Sequence, residues 1–429
     1  MIVIIGAGLA GLSTASFLGR VPHKVFEREA TVGGLCRSHQ VDGFTFDQTG
    51  HVLHCKSAEI RRFVEKLLGN TLVSHSRHSA IYSKNVLTPY PFQVHLHGLP
   101  QEVIRDCLLG YVSTLVNRES STHTRSPSFK AWILDNFGEG IAKHFMVPFN
   151  EKLWNVPLEE LTTEWTGLVP RPALQDVING ALGIGDREFG YNTRFFYPRS
   201  GGIQALPSAL LQRIRSVECQ KEVIEINTKS RRVHFADGSM EHYEALVSTM
   251  PLPELLRRCT DLPKTLRERG EKLRWTSVYA VNLAVMRKNI SSQHWIYFPE
   301  KTFPFYRIGF PMNLSPAMGK VGASSIAAEI ARRPGEDIPR SRLIKQTRAG
   351  LIRAGVCRPD DTFVVSEVRD IPYAYVIFDR ERGKIVPKML GELERRGIYS
   401  IGRYGRWEHT SMENAIQQGK DTATRLRRF

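Results

Sequence analysis

The stretch Ile2-Val-Ile-Ile-Gly6-Ala-Gly8-Leu-Ala-Gly11, continued by Leu12–Leu18 and His23–Glu27, decides the fold. Four apolar residues read as a strand buried on both faces. Three glycines follow at G-x-G-x-x-G spacing, then a helical segment, then a second strand ending on an acid. In that order each residue has a task. Gly6 allows the tight turn, Gly8 lets the backbone approach a pyrophosphate, and Gly11 lets helix and strand pack closely. The phosphates then rest on the helix N-terminus. Glu27 falls where a dinucleotide site places its ribose-binding carboxylate. It would repel a 2′-phosphate, which disfavours NADP.

Gly33-Gly34-Leu-Cys-Arg37-Ser38 follows closely. Adjacent glycines beside an arginine make a second place where backbone N–H groups and a cation can meet phosphate. That suits FAD, which extends further than a mononucleotide.

Composition sets the outer limits. The chain has 429 residues, 41% hydrophobic and 24% charged, which excludes a disordered or collagen-like protein. At about 150 residues per domain the length suggests two or three domains. No apolar run approaches the ~20 residues of a membrane span. Met1-Ile-Val-Ile-Ile reads as the start of a core strand, not a signal peptide. Six cysteines without a C-x-x-C pair argue against a disulfide framework or structural zinc and fit a reducing cytoplasm. A net charge of +16 favours anionic partners without choosing among them. The basic residues are spread along the chain, so no specific nucleic-acid stripe is expected. His95 and His97 lack a third ligand, and no metal site is expected. With no G-x-S-x-G, Walker or H-E-x-x-H pattern, acyl and phosphoryl transfer lose support.

Along the chain, a hairpin is expected around Asp42-Gly43, and helices near 57–68, 100–116 and 128–147, the last interrupted at Gly138 and Gly140. Residues 148–202, rich in Trp, Pro and Gly, read as mostly loop; a lid over a substrate would be sought in 183–202. A helix over 204–215 precedes strands near 222–227, 232–235, 241–243 and 245–248. A second strand-rich block covers 275–286, 294–298, 304–310 and 323–330. Helices near 339–354 and 382–395 follow, then strand 398–402, a Gly-rich turn and helix 411–425. The expected fold is α/β. A discontinuous Rossmann-like FAD/NAD(P)-binding domain (1–75, 200–260 and 385–429, including Val223) is interleaved with a mixed α+β substrate domain (76–199 and 261–384).

Glu27-Arg-Glu-Ala-Thr-Val-Gly-Gly-Leu-Cys-Arg-Ser38 resembles the FAD signature of the amine oxidase, protoporphyrinogen oxidase and carotenoid desaturase superfamily. Further segments are similar to UDP-galactopyranose mutases, closest to the eukaryotic type. These are Gly50-His51-Val-Leu-His54, Pro89-Tyr-Pro-Phe-Gln93, Phe145-Met-Val-Pro-Phe-Asn150-Glu-Lys-Leu-Trp154-Asn-Val-Pro157 and Gly190-Tyr-Asn192. Trp295-Ile-Tyr297-Phe-Pro-Glu300, Pro304-Phe-Tyr-Arg307 and Gly402-Arg403-Tyr-Gly405 continue the likeness. Met412 would open a helix facing the flavin.

The resemblance implies a mutase that interconverts pyranose and furanose forms of a nucleotide-diphosphate sugar. Reduced FAD would act as nucleophile, with no net redox change. It places His51 beside the flavin. Arg287, at the end of the strand 277–286, would clamp the diphosphate, with Tyr375 touching it. His409 stands where mutases carry a second diphosphate-binding tyrosine. Gln93, Asn150, Trp154, Asn192, Tyr297 and Arg307 would shape the substrate pocket. Read singly, Trp154, Trp165 and Tyr297 suit a core better than a site, Asn150 could cap a helix and Gln93 could lie on the surface. Trp165–Arg171 lacks an arginine of the mutase pattern, and Val376 replaces a proline, which leaves sugar and base open. The alternatives are an FAD-dependent oxidoreductase of amine oxidase, protoporphyrinogen oxidase or desaturase type, and a non-catalytic nucleotide-binding protein. A homo-oligomer is compatible with all three.

Overall fold

A computed structural model describes residues 1–120, 128–184, 189–190 and 193–427. Two sheets organise it. The first has four parallel strands in the order Ile398–Ser400, Ala245–Ser248, Ile2–Ile5, His23–Phe26. Ile2 is in register with Ala245 on one side and His23 on the other. All four residues of Ile2–Ile5 are buried, which is why the run is apolar without alternation. The helices Leu9–Leu18 and Met412–Leu426 cover this sheet together; a Cβ on Gly419 would stand 2.7 Å from the Ala10 carbonyl oxygen.

The second sheet has seven strands in the order Phe363–Val376, Trp275–Val285, Ser324–Arg332, Arg307–Gly309, Trp295–Tyr297, Ser79–Ser83, Val86–Pro89. Its pairs are antiparallel except Trp295–Tyr297 with Ser79–Ser83. Beside it lies a helical layer. There Gly138, at φ 73°, brings the helix Phe129–Ile141 against Gln101–Ser120: a side chain on it would stand 2.1 Å from the Gly110 oxygen.

Residues 148–202 are loop over more than half of their described length, with short regular elements between. One helical turn widens at Ala142–Met146, and the next helix runs Val147–Trp154 with Pro148 in its first turn, where a missing N–H costs nothing. The helix Leu174–Leu182 and the strand Arg194–Pro198 follow, the latter pairing with Leu72–Ser76. The fourteen-residue strand Phe363–Val376 was not expected. Pro372 inside it argues against a strand. It is tolerated because this is an edge strand and because pairing skips there, from Thr276↔Tyr375 to Val278↔Ile371. The helix expected over 204–215 spans Ala205–Leu211.

Candidate cofactor and substrate cleft

One cleft of about 1210 Å³ lies between the two sheets. Its first wall is the glycine-rich turn. Gly8 opens the helix Leu9–Leu18 with no side-chain cap, and the first intrahelical bond joins Leu12 N–H to Gly8 O at 2.9 Å. The first-turn N–H groups are therefore left for a ligand. Gly11 does not line the cleft; it lies behind the turn, where a Cβ would stand 2.0 Å from the Gly6 oxygen. The second glycine pair is laid against the first. Gly33 donates to Ala7 O at 2.8 Å, and a Cβ on Gly34 would stand 3.3 Å from the Gly8 Cα. Gly33 and Gly34 take φ of 123° and 58°, which glycine adopts without strain.

Glu27 is buried and ties these parts together. Its Oε2 accepts from Ala7 N–H at 2.7 Å and its Oε1 from Glu29 N–H at 3.0 Å. Arg37 donates from Nε to Gly34 O at 2.9 Å and approaches Glu29 at 3.3 Å. Gly6, Gly8, Glu27, Gly33, Gly34, Arg37 and Val223 all line the cleft. Bare glycine backbone, an uncapped helix start and a buried acid at the strand end fit a dinucleotide.

A neighbouring wall carries Gly402, Arg403, His409 and Met412; a Cβ on Gly402 would stand 3.1 Å from the Cβ of Ala10, in the helix that the glycine turn opens. Arg403 donates to Thr410 O and Ala374 O, each at 3.2 Å, and lies 3.3 Å from Nδ1 of His409. Its Nε is buried without a partner, and no carboxylate pairs with it among the described residues. The guanidinium also sits 5.7 Å from the centre of the Tyr375 ring. His409 opens onto the cleft but is walled in by protein; that wall, then Arg403, pushes its pKa down to about 3.

The floor is a network around Glu329. Arg307 meets it through bonds of 3.1 and 2.6 Å, Gly50 N–H at 3.2 Å, and the Tyr306 hydroxyl also donates to it. Tyr306 and Tyr375 hydroxyls are 3.2 Å apart. Arg307 holds the Glu329 carboxyl below its usual range although burial opposes this. His51 hydrogen-bonds Thr49 through Nδ1 at 2.7 Å. Burial and then Arg403 push it down to about 4. Tyr297 completes the lining and packs against Tyr90 and Phe149, ring centres 5.5 and 5.4 Å away.

Four expected site residues lie elsewhere. Arg287 does not clamp a ligand. It grips Asp361 through two bonds of 2.7 Å and donates to Val356 O, nine residues beyond Val278, the nearest cleft-lining residue of its strand, roughly 30 Å away. Gln93 is buried and donates to Pro170 O at 2.8 Å. Asn150 and Trp154 bond each other at 3.2 Å inside the helical layer, and Asn150 also donates to Met146 O. None of these lines the cleft. Asn192 lies outside the described residues, as do 185–188 of the expected lid. Glu329 and Tyr306 were not singled out from sequence; a charged residue inside the apolar run Ser324–Arg332 was the available signal.

The sequence profile described as flavin containing amine oxidoreductase matches residues 9–427. The chain belongs to this family, and its cofactor is FAD. Among solved structures it is similar to a reduced UDP-galactopyranose mutase, at 28% identity, 99% of this chain, 93% of that chain and a TM-score of 0.92. A putrescine oxidase with bound putrescine is 15% identical over 100% of this chain and 99% of that one, with a TM-score of 0.65, a likeness of fold alone. Farnesylcysteine lyase of Arabidopsis thaliana is 35% identical over 74 residues, 15% of either chain. The chain matches between 15% and 52% of the length of its curated relatives. No helix among the described residues is long and apolar enough to cross a membrane.

Proposed function

We propose that the chain is a mutase-like enzyme interconverting pyranose and furanose forms of a nucleotide-diphosphate sugar, with FAD in its reduced form. The observation carrying this reading is the likeness, over 99% of the chain, to the reduced UDP-galactopyranose mutase. The cleft supports it. At about 1210 Å³ it exceeds the ~300–1000 Å³ of a single small-molecule site. Its inner wall is polar, with Arg403, His409, Tyr375, Tyr306 and Arg307.

The glycine turns and Glu27 would hold the dinucleotide. Reduced FAD, when bound, supplies nucleophilic chemistry at the anomeric carbon. Arg403 supplies positive charge to the leaving diphosphate. Tyr297, Tyr375 and the Arg307–Glu329 pair bound the sugar side. His51, held neutral by burial and Arg403, adds no charge to either ligand. We propose with this the division into a dinucleotide domain of 1–75, 200–260 and 385–429 and a substrate domain of the intervening residues.

The test is incubation of the dithionite-reduced protein with UDP-, GDP- and TDP-hexoses, followed by chromatography. A furanose product is expected. Its absence with every sugar, together with flavin-dependent oxygen consumption on an amine, would replace this reading with that of an oxidoreductase, which the family match favours.

A further inference from the structure

The helix Arg340–Arg353 carries five cations and no acid. The other charged helices of comparable length, Gln101–Ser120, Phe129–Ile141, Arg380–Arg395 and Met412–Leu426, all carry acids. Two of the five cations are anchored. Arg348 donates to the Ser366 hydroxyl and lies 4.4 Å over the Phe363 ring, and Arg353 donates to Thr302 O at 2.8 Å. Arg340, Arg342 and Lys345 are exposed and have no ion pair or hydrogen bond from their side chains among the described residues.

The helix gains nothing from these three. Arg340 and Arg342 stand in its first turn, where the dipole presents its positive end and favours an acid, and Pro339 supplies no side-chain cap. Arg342 and Lys345, three residues apart, repel. Glu336 and Asp337, in the turn before the helix, bond Arg333 N–H at 3.1 Å and the Tyr279 hydroxyl at 3.2 Å.

The three stand at one end of the cleft. Arg340 and Ile344 line it beside Ser366, and from Ser366 the strand Phe363–Val376 lines it without a break to Tyr375. At about 3.3 Å per residue, Ser366 is roughly 30 Å from the floor at Tyr375. It is roughly 16 Å from Ile371, which packs with Leu35 beside the second glycine pair. Both distances exceed the screening length of about 8 Å at physiological salt. Glu367 and Asp370, the acids of the strand within the cleft, are taken by His39 and Arg332, at 2.6 Å each.

We propose that Arg340, Arg342 and Lys345 form a cationic approach that draws phosphate-bearing ligands into the cleft without holding them once bound. Charge on a rim raises the rate of encounter with an opposite charge. A phosphate seated at the glycine turns or on the floor lies beyond the screened reach of the helix, so association is quickened and dissociation is not. The pyrophosphate of FAD is one such ligand and a nucleoside diphosphate the other. Neither role depends on which sugar is turned over.

The test is stopped-flow binding of FAD to apoprotein, followed by flavin fluorescence, from about 0.01 to 0.15 M salt. The helix variant, with Arg340→Gln, Arg342→Gln and Lys345→Gln together, is expected to bind about tenfold more slowly than the parent at low salt and to converge with it at high salt. Its FAD release should stay within about twofold of the parent rate. A control variant, with Lys264→Gln, Arg269→Gln and Lys272→Gln, removes the same charge from an exposed face outside the cleft and should change association by less than about twofold. The helix variant should melt no lower than the parent, since the charges it loses are unfavourable ones. UDP with holoprotein separates the sources. Slowing of both ligands assigns the helix to any phosphate that enters, and slowing of FAD alone confines it to cofactor loading. Equal association of helix variant and parent at low salt, equal slowing in the control variant, or a change carried by dissociation would overturn the approach. Holoprotein that binds no UDP would count against the mutase reading and leave the FAD rates to decide.

Discussion

Arg307 and Glu329 are direct register partners on neighbouring antiparallel strands, and their side chains close two hydrogen bonds over that pairing. The Glu329 side chain is 4% exposed, so its charge depends on Arg307. Glu329→Gln leaves the guanidinium half-matched in a largely buried pair. A loss of about 3–5 kcal/mol is expected by denaturant unfolding of the holoprotein. Pairing Arg307→Met with Glu329→Leu should recover most of it. A single-variant loss under about 1 kcal/mol would mean that water reaches the pair.

Acid should destabilise the protein before most of its carboxylates titrate. His51 and His294 are both pushed down to about 4 by burial, against about 6.5 unfolded. Between those values the unfolded chain binds protons that the folded one refuses, so stability falls as pH drops. Asp47, pushed up to about 6 by burial, acts in the opposite sense with one proton. The two histidines outweigh it. The melting temperature should fall from pH 6.5 to pH 5, and less steeply in His294→Phe. A flat or rising profile would contradict the burial of these rings.

Removing Arg287 should affect folding and not binding. Arg287→Ala strips Asp361 of its partner and should cost about 1–3 kcal/mol in denaturant unfolding. UDP affinity of the holoprotein, by calorimetry, should stay within about twofold, whereas Arg403→Ala should weaken it at least tenfold. Loss of affinity in Arg287→Ala would restore that residue to the site.

Gly11→Ala should empty the cofactor site. The new methyl would meet the Gly6 oxygen at 2.0 Å, and both lie in a turn pinned by Gly6 N–H to Phe26 O. The purified variant should lack flavin absorption and gain none on incubation with FAD. A yellow variant would show that the turn can shift without losing its shape.

The dinucleotide half of the cleft was legible because its information is local. Strand, glycines, helix and acid fall within 27 residues, and each is read from its neighbours. The substrate half was legible only in part: His51, Tyr297, Arg307, Tyr375 and His409 line the cleft, but other side chains are aimed by partners far along the chain. Asn150 and Trp154 sit four apart on one helix, so they share a face, but only packing decides that the face is a core. Arg287 is diverted by Asp361, placed by a strand that Pro372 concealed. Glu329 gains its meaning from the register with Arg307, which no local pattern encodes.

The four-stranded sheet joins Ile2–Ile5 to Ala245–Ser248, and these in turn to Ile398–Ser400. Ile2–Ile5 has both its partners, His23–Phe26 and Ala245–Ser248, without Ile398–Ser400, which adds only to the far edge of the sheet. The helix Met412–Leu426, packed against the helix that the glycine turn opens, lies beyond that edge strand in the sequence. Such long-range closure is slow. The strands of the cradle can therefore pair before the helix that braces its glycine turn has docked, and the cofactor meets a finished site only after that last packing step.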